Sequence, residues 1–195
     1  MPPAADPIMV NRLVAILHDP GNAEPASMFP QDKGAATQPG LYAWWVDEEG
    51  IAALAGQLEI SLPSLIYAGL AGATKWPTGI ESTATLWSRV HTLHLHGNIR
   101  GSTFRQTLAA VLAEPLALHI VGPNRLTRES EGQLSVWMAD HLRVTIQPYA
   151  DRDTLGAMEQ AILTQLDPPL NLKSMASSAV RKTVADWRRQ LAHPM

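Results

Sequence analysis

GLYAWWVDEEGIAALAGQLEISLPSLIYAGL, residues 40–70, opens and closes on apolar runs rich in aromatic and branched side chains. Leu41–Val46 and Leu65–Leu70 therefore read as strands, and Glu48–Leu58 between them as a short helix of small residues. The strands carry two of the chain's three tyrosines in mirrored glycine contexts, Gly40-Leu41-Tyr42 and Tyr67-Ala68-Gly69. If they pair antiparallel, both phenols stand on one sheet face, and Leu41 and Ala68 point to the other. Tyrosine is favoured in sheets anyway, so the pair alone does not establish a site.

Upstream, Asp6-Pro7 sets an N-cap before a proline at the first helical position and opens a helix to about Leu17. Asp19–Pro39 is rich in Pro, Gly and small residues and reads as a linker. Downstream, Ala71–Glu81 is a Gly/Pro loop. Ser82 or Thr83 is expected to cap a helix to about Leu95 that Gly97 stops. Thr103 and Gln106 fit a capping box for a helix through Ala113. Gly122–Gly132 is polar and charged, and Gln133–His141 reads as helix. Leu142–Tyr149 reads as a third strand, with Pro148 marking an edge position or a strand end. A helix over Thr154–Leu166 stops before Pro168-Pro169. Ser177–Leu191 is a basic amphipathic helix with Val180, Val184, Trp187 and Leu191 on one face. This order gives an α/β (α+β) fold, a sheet covered by helices.

A chain of 195 residues, 46% apolar and 17% charged, holds one domain with extra arms. It has no cysteine, which excludes a disulfide scaffold and thiolate zinc sites. Met1–Arg12 lacks a basic start followed by an apolar core, so no signal peptide is expected. The longest apolar stretch, Leu108–Val121, is broken by Glu114, Pro115 and His119, so no membrane span is expected. A soluble, cytoplasmic protein follows as the expectation. The net charge of −3 argues against non-specific coating of nucleic acid. Charge is uneven, however: residues 83–128 hold five arginines against Glu114 alone, while residues 1–60 hold eight acids and two bases. A local basic face on an acidic body suits a polyanion bound at one site, or an ordinary solvated surface.

Glu159 falls four residues after Leu155 and three before Ile162, on the apolar stripe of its helix. Burying an ionised carboxylate without a partner costs several kcal/mol. A counter-charge, a strong donor or a metal ion is expected beside it; an arginine partner or a stripe edge reaching water is the plain alternative. His91, His94 and His96 invite a zinc reading, but no cysteine joins them and His96 points away on a helix. Gly69–Lys75 is glycine-rich yet lacks the Gly-Lys-Ser/Thr of a phosphate loop. Lys75 and Trp76 sit on the long loop, where Trp76 could stack on a base or fold back on the core. Ser102, Thr103 and Arg105 suit phosphate at a helix N-terminus, although capping alone explains the hydroxyls.

Taken together, these residues resemble the GIY-YIG nuclease family. Gly40-Leu41-Tyr42 stands for the first tripeptide and Tyr67-Ala68-Gly69 for the second. Arg89, in Leu86-Trp87-Ser88-Arg89, matches the arginine on the family's first helix. Glu159 matches its metal-binding glutamate, and Asn171 its late asparagine. Gly101-Ser102-Thr103-Phe104-Arg105 also resembles a run in bacterial members. The tripeptides lie about twice as far apart as is usual, which implies an inserted helix 48–58. The family often carries His or Tyr one turn after the arginine; here position 93 is Leu and His94 lies one step further. On an ideal helix that step turns the ring by about 100°, so His94 takes the role only if the helix distorts before Gly97.

The resemblance implies a small central three-stranded antiparallel sheet flanked by helices, with extra N- and C-terminal helices. Residues 1–39 would be an N-terminal helix and linker, 40–175 the catalytic domain and 176–195 a basic helix packed on it. It implies a metal-dependent endonuclease cutting DNA, RNA not being excluded, with Mg²⁺ or Mn²⁺ at Glu159. Catalytic residues would be Tyr42, Tyr67, Arg89, His94, Glu159 and Asn171. Lys75, Trp76, Arg100, Ser102, Thr103 and Arg105 would meet the nucleic acid. A hard ion keeps several waters, so one carboxylate suffices. Arg89, flanked by Leu86 and Leu93, would reach phosphate bidentately, or else simply pair with Glu159. Tyr42 would stand nearest the attacking water with Tyr67 as its partner, and Asn171 would hold backbone or a phosphate oxygen. The alternative is an inactive domain of this fold that binds nucleic acid or a protein partner, with self-association as a homodimer open.

Overall fold

The structure is a computed structural model that describes residues 3–193; the ends of the two expected terminal segments, 1–2 and 194–195, lie outside the described residues. Helix α1 spans Pro7–Leu17, with Asp6 accepting the Ile8 N–H as its cap. The stretch expected to be a linker is not featureless. It holds strand β1 (Glu24–Pro25), the one-turn helix α2 (Lys33–Ala36) and buried Ala23, Ala26, Phe29 and Ala36. Strand β2 (Gly40–Val46), helix α3 (Glu48–Leu58) and strand β3 (Leu65–Ala71) follow as expected.

The next helix departs from expectation. It is π-wound over Trp87–Leu95, and residues 82–85 are not helical. Thr85 and Ser88 cap its start reciprocally: the Ser88 N–H donates to Thr85 Oγ1 at 3.1 Å and the Thr85 N–H to Ser88 Oγ at 2.9 Å. Helix α4 (Thr103–Leu112) is capped by Ser102 rather than Thr103. The polar stretch folds as a hairpin, β4 (Ile120–Gly122) and β5 (Arg125–Leu126), and helix α5 (Arg128–His141) begins earlier than expected because Thr127 caps it. Strand β6 (Leu142–Pro148), helix α6 (Arg152–Leu166) and helix α7 (Ala179–Ala192) complete the chain.

The main sheet runs β1-β6-β2-β3 and is antiparallel throughout. The three expected strands are its core, and β1 adds a fourth at the β6 edge, pairing Glu24 with Val144 and Pro25 with Arg143. Two residues are too few for an alternation signal, and proline is tolerated on an edge strand. The third strand is therefore not an edge, and Pro148 marks its end.

Central β2 is buried along its whole length. Tyr42, Trp44 and Val46 join one core with Val90, Phe104, Leu108, Leu134 and Val184, from the π-helix, α4, α5 and α7. Leu41, Ala43 and Trp45 join the other with Leu13, Leu155, Met158 and Ile162, from α1 and α6. Leu41 and Ala68 lie in that second core, away from the tyrosines. The terminal helices pack on this body, α1 against α6 and α7 against α4. Among the described residues no helix is long and apolar enough to cross a membrane.

Candidate active site

The antiparallel register sets Tyr42 opposite Gly69 and Tyr67 opposite Trp44, which leaves the two phenols diagonal on one face. Both glycines of the tripeptides have steric reasons. A Cβ at Gly40 would collide with the Gln147 carbonyl of β6. A Cβ at Gly69 would stand 2.6 Å from Tyr42 Oη and 2.8 Å from its Cζ, so the ring lies across the bare glycine. Gly69→Ala is expected to push that ring aside and cost about 1–3 kcal/mol, as overpacking does. Urea unfolding checks this, and wild-type stability would show that the ring has another seat.

The π-helix supplies Arg89 and His94. Its hydrogen bonds close over five residues, as the His96 N–H to the His91 carbonyl does at 3.0 Å, so residue 94 follows residue 89 by one turn. This is the distortion that an α-helical reading lacked. His94 turns inward, 2% exposed, with Nε2 2.9 Å from Tyr42 Oη and Nδ1 2.7 Å from Ser102 Oγ. Burial, with the Arg89 and Arg105 guanidinium groups nearby, pushes its pKa down to about 3, so the ring is neutral. The three histidines do not converge: His94 faces Tyr42 and Ser102, apart from the other two. His91 stacks on Trp87 with centroids 4.0 Å apart and faces the His96 ring at 4.3 Å. No set of three His, Asp or Glu ligands is assembled among the described residues.

Helix α6 brings Glu159 to the same place. Tyr42, Tyr67, Arg89, His94 and Glu159 line one solvent-open cleft of about 800 Å³. Burial pushes the Glu159 carboxyl up to about 7 in spite of Lys173 and Arg89. No ion pair between Glu159 and Arg89 is present among the described residues, and Arg89 Nε is buried without a protein partner. Burial also raises both phenols. For Tyr42 the other tyrosine adds to this; for Tyr67 the bond to the Thr103 hydroxyl, at 3.4 Å, opposes it. One carboxylate with raised proton affinity, in a polar, open cleft, fits a hard cation that keeps most of its waters, and does not fit zinc.

Asn171 is committed to backbone. Its Oδ1 accepts the Ala68 N–H at 2.9 Å and its Nδ2 donates to the Ala68 carbonyl at 2.8 Å. It thus stands in for a neighbouring strand at the free edge of β3, beside the Leu170 N–H that donates to the Ile66 carbonyl. Buried Arg181 of α7 pins this segment through the Asn171 and Pro168 carbonyls and Asp167.

Among the expected nucleic-acid contacts, Thr103 is exposed at the cleft, and Lys75, Trp76 and Arg100 are exposed elsewhere. The Trp76 indole donates to the Asp153 carbonyl at 3.2 Å. Two expectations need correcting. Arg105 is 0% exposed, held by the His94 and Leu95 carbonyls and by Glu131, and presents nothing to a phosphate. Ser102 is 2% exposed, and its hydroxyl is taken up by the α4 cap and His94. Conversely, the sequence reading missed two cleft cations, Lys173 and Arg188. Arg188 lies between Val184 and Leu191 on the apolar face of α7, the same signal that singled out Glu159. Its guanidinium donates to Gln106 of α4, and burial lowers its pKa.

The profile of the GIY-YIG catalytic domain matches residues 40–190, from the first residue of β2 into α7. No curated protein and no solved structure matches the chain. The matched span includes every cleft residue named above, Arg188 among them. The chain belongs to the GIY-YIG catalytic domain family.

Proposed function

We propose that this protein is an endonuclease that hydrolyses DNA phosphodiester bonds with Mg²⁺ or Mn²⁺ at Glu159. Family membership points to a nuclease-type activity. The observation that carries the finer reading is the cleft itself, where three cations, Arg89, Lys173 and Arg188, surround one acid and two phenols. That charge pattern suits an anionic phosphodiester and a single hard ion. Bound there, Mg²⁺ or Mn²⁺ would neutralise phosphate charge and acidify a coordinated water.

The chain's own groups do the rest. Arg89, which lines the cleft, meets the scissile phosphate through its guanidinium. Lys173 and Arg188 hold flanking phosphate charge from opposite ends of the Asn171–α7 segment. A free phenol is ionised to about one part in a thousand at pH 7, and burial pushes Tyr42 further from ionisation. Tyr42 therefore orients the attacking water through its hydroxyl, and Tyr67 supports it from the next strand. Exposed Lys75, Trp76 and Arg100 extend the contact along the nucleic acid. The catalytic unit takes in α7, because Arg188 and Arg181 belong to it.

Supercoiled plasmid incubated with Mg²⁺ or Mn²⁺ tests the proposal. Wild type is expected to nick it, and Glu159→Gln to bind it without nicking. If both proteins bind equally and neither cuts, the domain is a binding module and the nuclease reading fails. Cleavage of an RNA strand alone would move the substrate assignment.

A further inference from the structure

Three hydrogen-bearing groups stand in a row between α4 and the cleft. Ser102 Oγ accepts the Arg105 N–H at 3.1 Å and lies 2.7 Å from His94 Nδ1. His94 Nε2 lies 2.9 Å from Tyr42 Oη. A neutral imidazole carries one hydrogen, and each hydroxyl carries one. Two bridges therefore share three hydrogens, and one hydrogen is left over at an end of the row.

Its place follows from which end of the row meets the cleft: Ser102 and Tyr42 are similarly deep, 2% and 3% exposed, but only Tyr42 lines the cleft. Were the imidazole hydrogen on Nδ1, Ser102 Oγ would accept two N–H groups. Its own hydrogen would then find no other acceptor among the described residues. Ser102 is 2% exposed and does not line the cleft, so that orphan would be dry and costly. With the hydrogen on Nε2, the surplus one belongs to Tyr42, which lines the cleft where water or substrate can accept it.

We infer that Ser102 is a positioning residue: its hydroxyl donates to His94 Nδ1, fixing the Nε2–H tautomer, which donates to Tyr42 and turns the tyrosine's hydrogen toward the cleft. His94 is then a donor to the phenol oxygen and not the base that takes its proton. The strongly lowered proton affinity of His94 agrees with this, because the ring stays neutral with one nitrogen free to accept from Ser102. The catalytic consequence rests on the nuclease reading; the tautomer does not.

Nitrogen-15 NMR of the imidazole rings in the full, metal-free chain reads the tautomer directly, with His94→Gln assigning the signal among the seven histidines. Wild type and Ser102→Thr are expected to show hydrogen on Nε2 alone. Ser102→Gly, which keeps a tolerated N-cap, is expected to show both tautomers and about tenfold slower plasmid nicking with DNA binding unchanged. Hydrogen on Nδ1 in wild type overturns the inference, as does a pure Nε2–H form in Ser102→Gly. The expected spectra in a chain that cuts no DNA would uphold the tautomer and sink only the nuclease reading.

Discussion

Glu159→Gln is expected to slow DNA cleavage about a thousandfold or more while making the metal-free protein more stable at pH 8. A thousandfold corresponds to about 4 kcal/mol of lost transition-state stabilisation, the scale on which a metal site acts. The stability gain has the opposite origin. Burial lifts the Glu159 carboxyl to about 7 in the folded chain, against 4.5 for an ordinary glutamate. Between those two pH values the folded state holds a proton that the unfolded state has released. Stability is therefore full below about pH 4.5 and falls as pH rises toward 7. The loss is at most about 3 kcal/mol at pH 8, and glutamine, which never ionises, escapes it. At about 2–4 °C per kcal/mol, the variant should melt several degrees above wild type at pH 8 in chelator, and together with it near pH 4.5. Mg²⁺ should raise the wild-type melting temperature alone, since only that chain offers the carboxylate. Identical melting of the two proteins at pH 8 would show that Glu159 reaches free water and is not held for a cation.

That an acid on an apolar stripe points to the candidate site is the part of this molecule most legible in sequence. One helical repeat suffices to see it, and the same rule applied to α7 finds Arg188 between Val184 and Leu191. The tyrosines were legible through β periodicity, since alternation fixes a side chain's face once the strands pair. The motif glycines are different. Their reason, the Gln147 carbonyl beside Gly40 and the Tyr42 ring across Gly69, exists only when distant segments meet. The place of His94 beside Tyr42 was hidden for a further reason. An α-helical wheel turns it away from Arg89, and nothing local in Trp87–Leu95 announces π winding. Strand β1 was hidden because two residues carry no period. Ser102 and Arg105 read as surface groups at a helix start, where serine and arginine are common. Only the packing of α4 under the π-helix shows that both face inward.

Arg105→Ala is expected to cost about 3–5 kcal/mol, a large share of the roughly 5–15 kcal/mol that holds a domain folded. The guanidinium closes the carboxyl end of the π-helix, donating to the His94 and Leu95 carbonyls at 3.1 Å each. The other amino group ties that end to α5, through Glu131 Oε2 at 2.8 Å, the Glu131 carbonyl and the Ser135 hydroxyl. Truncation leaves two helix-end carbonyls without this buried donor and takes the cation from the Glu131 carboxylate, which is 19% exposed and keeps, among the described residues, only the Ile99 N–H at 2.9 Å. Lysine presents a single ammonium and cannot reach both carbonyls and Glu131 at once, so Arg105→Lys should recover less than half of the loss. Urea unfolding measures both variants. DNA binding separates this role from a phosphate contact. The slope of affinity against salt should be unchanged in Arg105→Lys, and should fall by about one in Arg188→Gln, where a cleft cation is removed. A loss below about 1 kcal/mol in Arg105→Ala, together with a shallower salt slope, would instead place Arg105 on the nucleic acid. It would also leave the end of the π-helix, and with it the seat of His94, to be explained by other contacts.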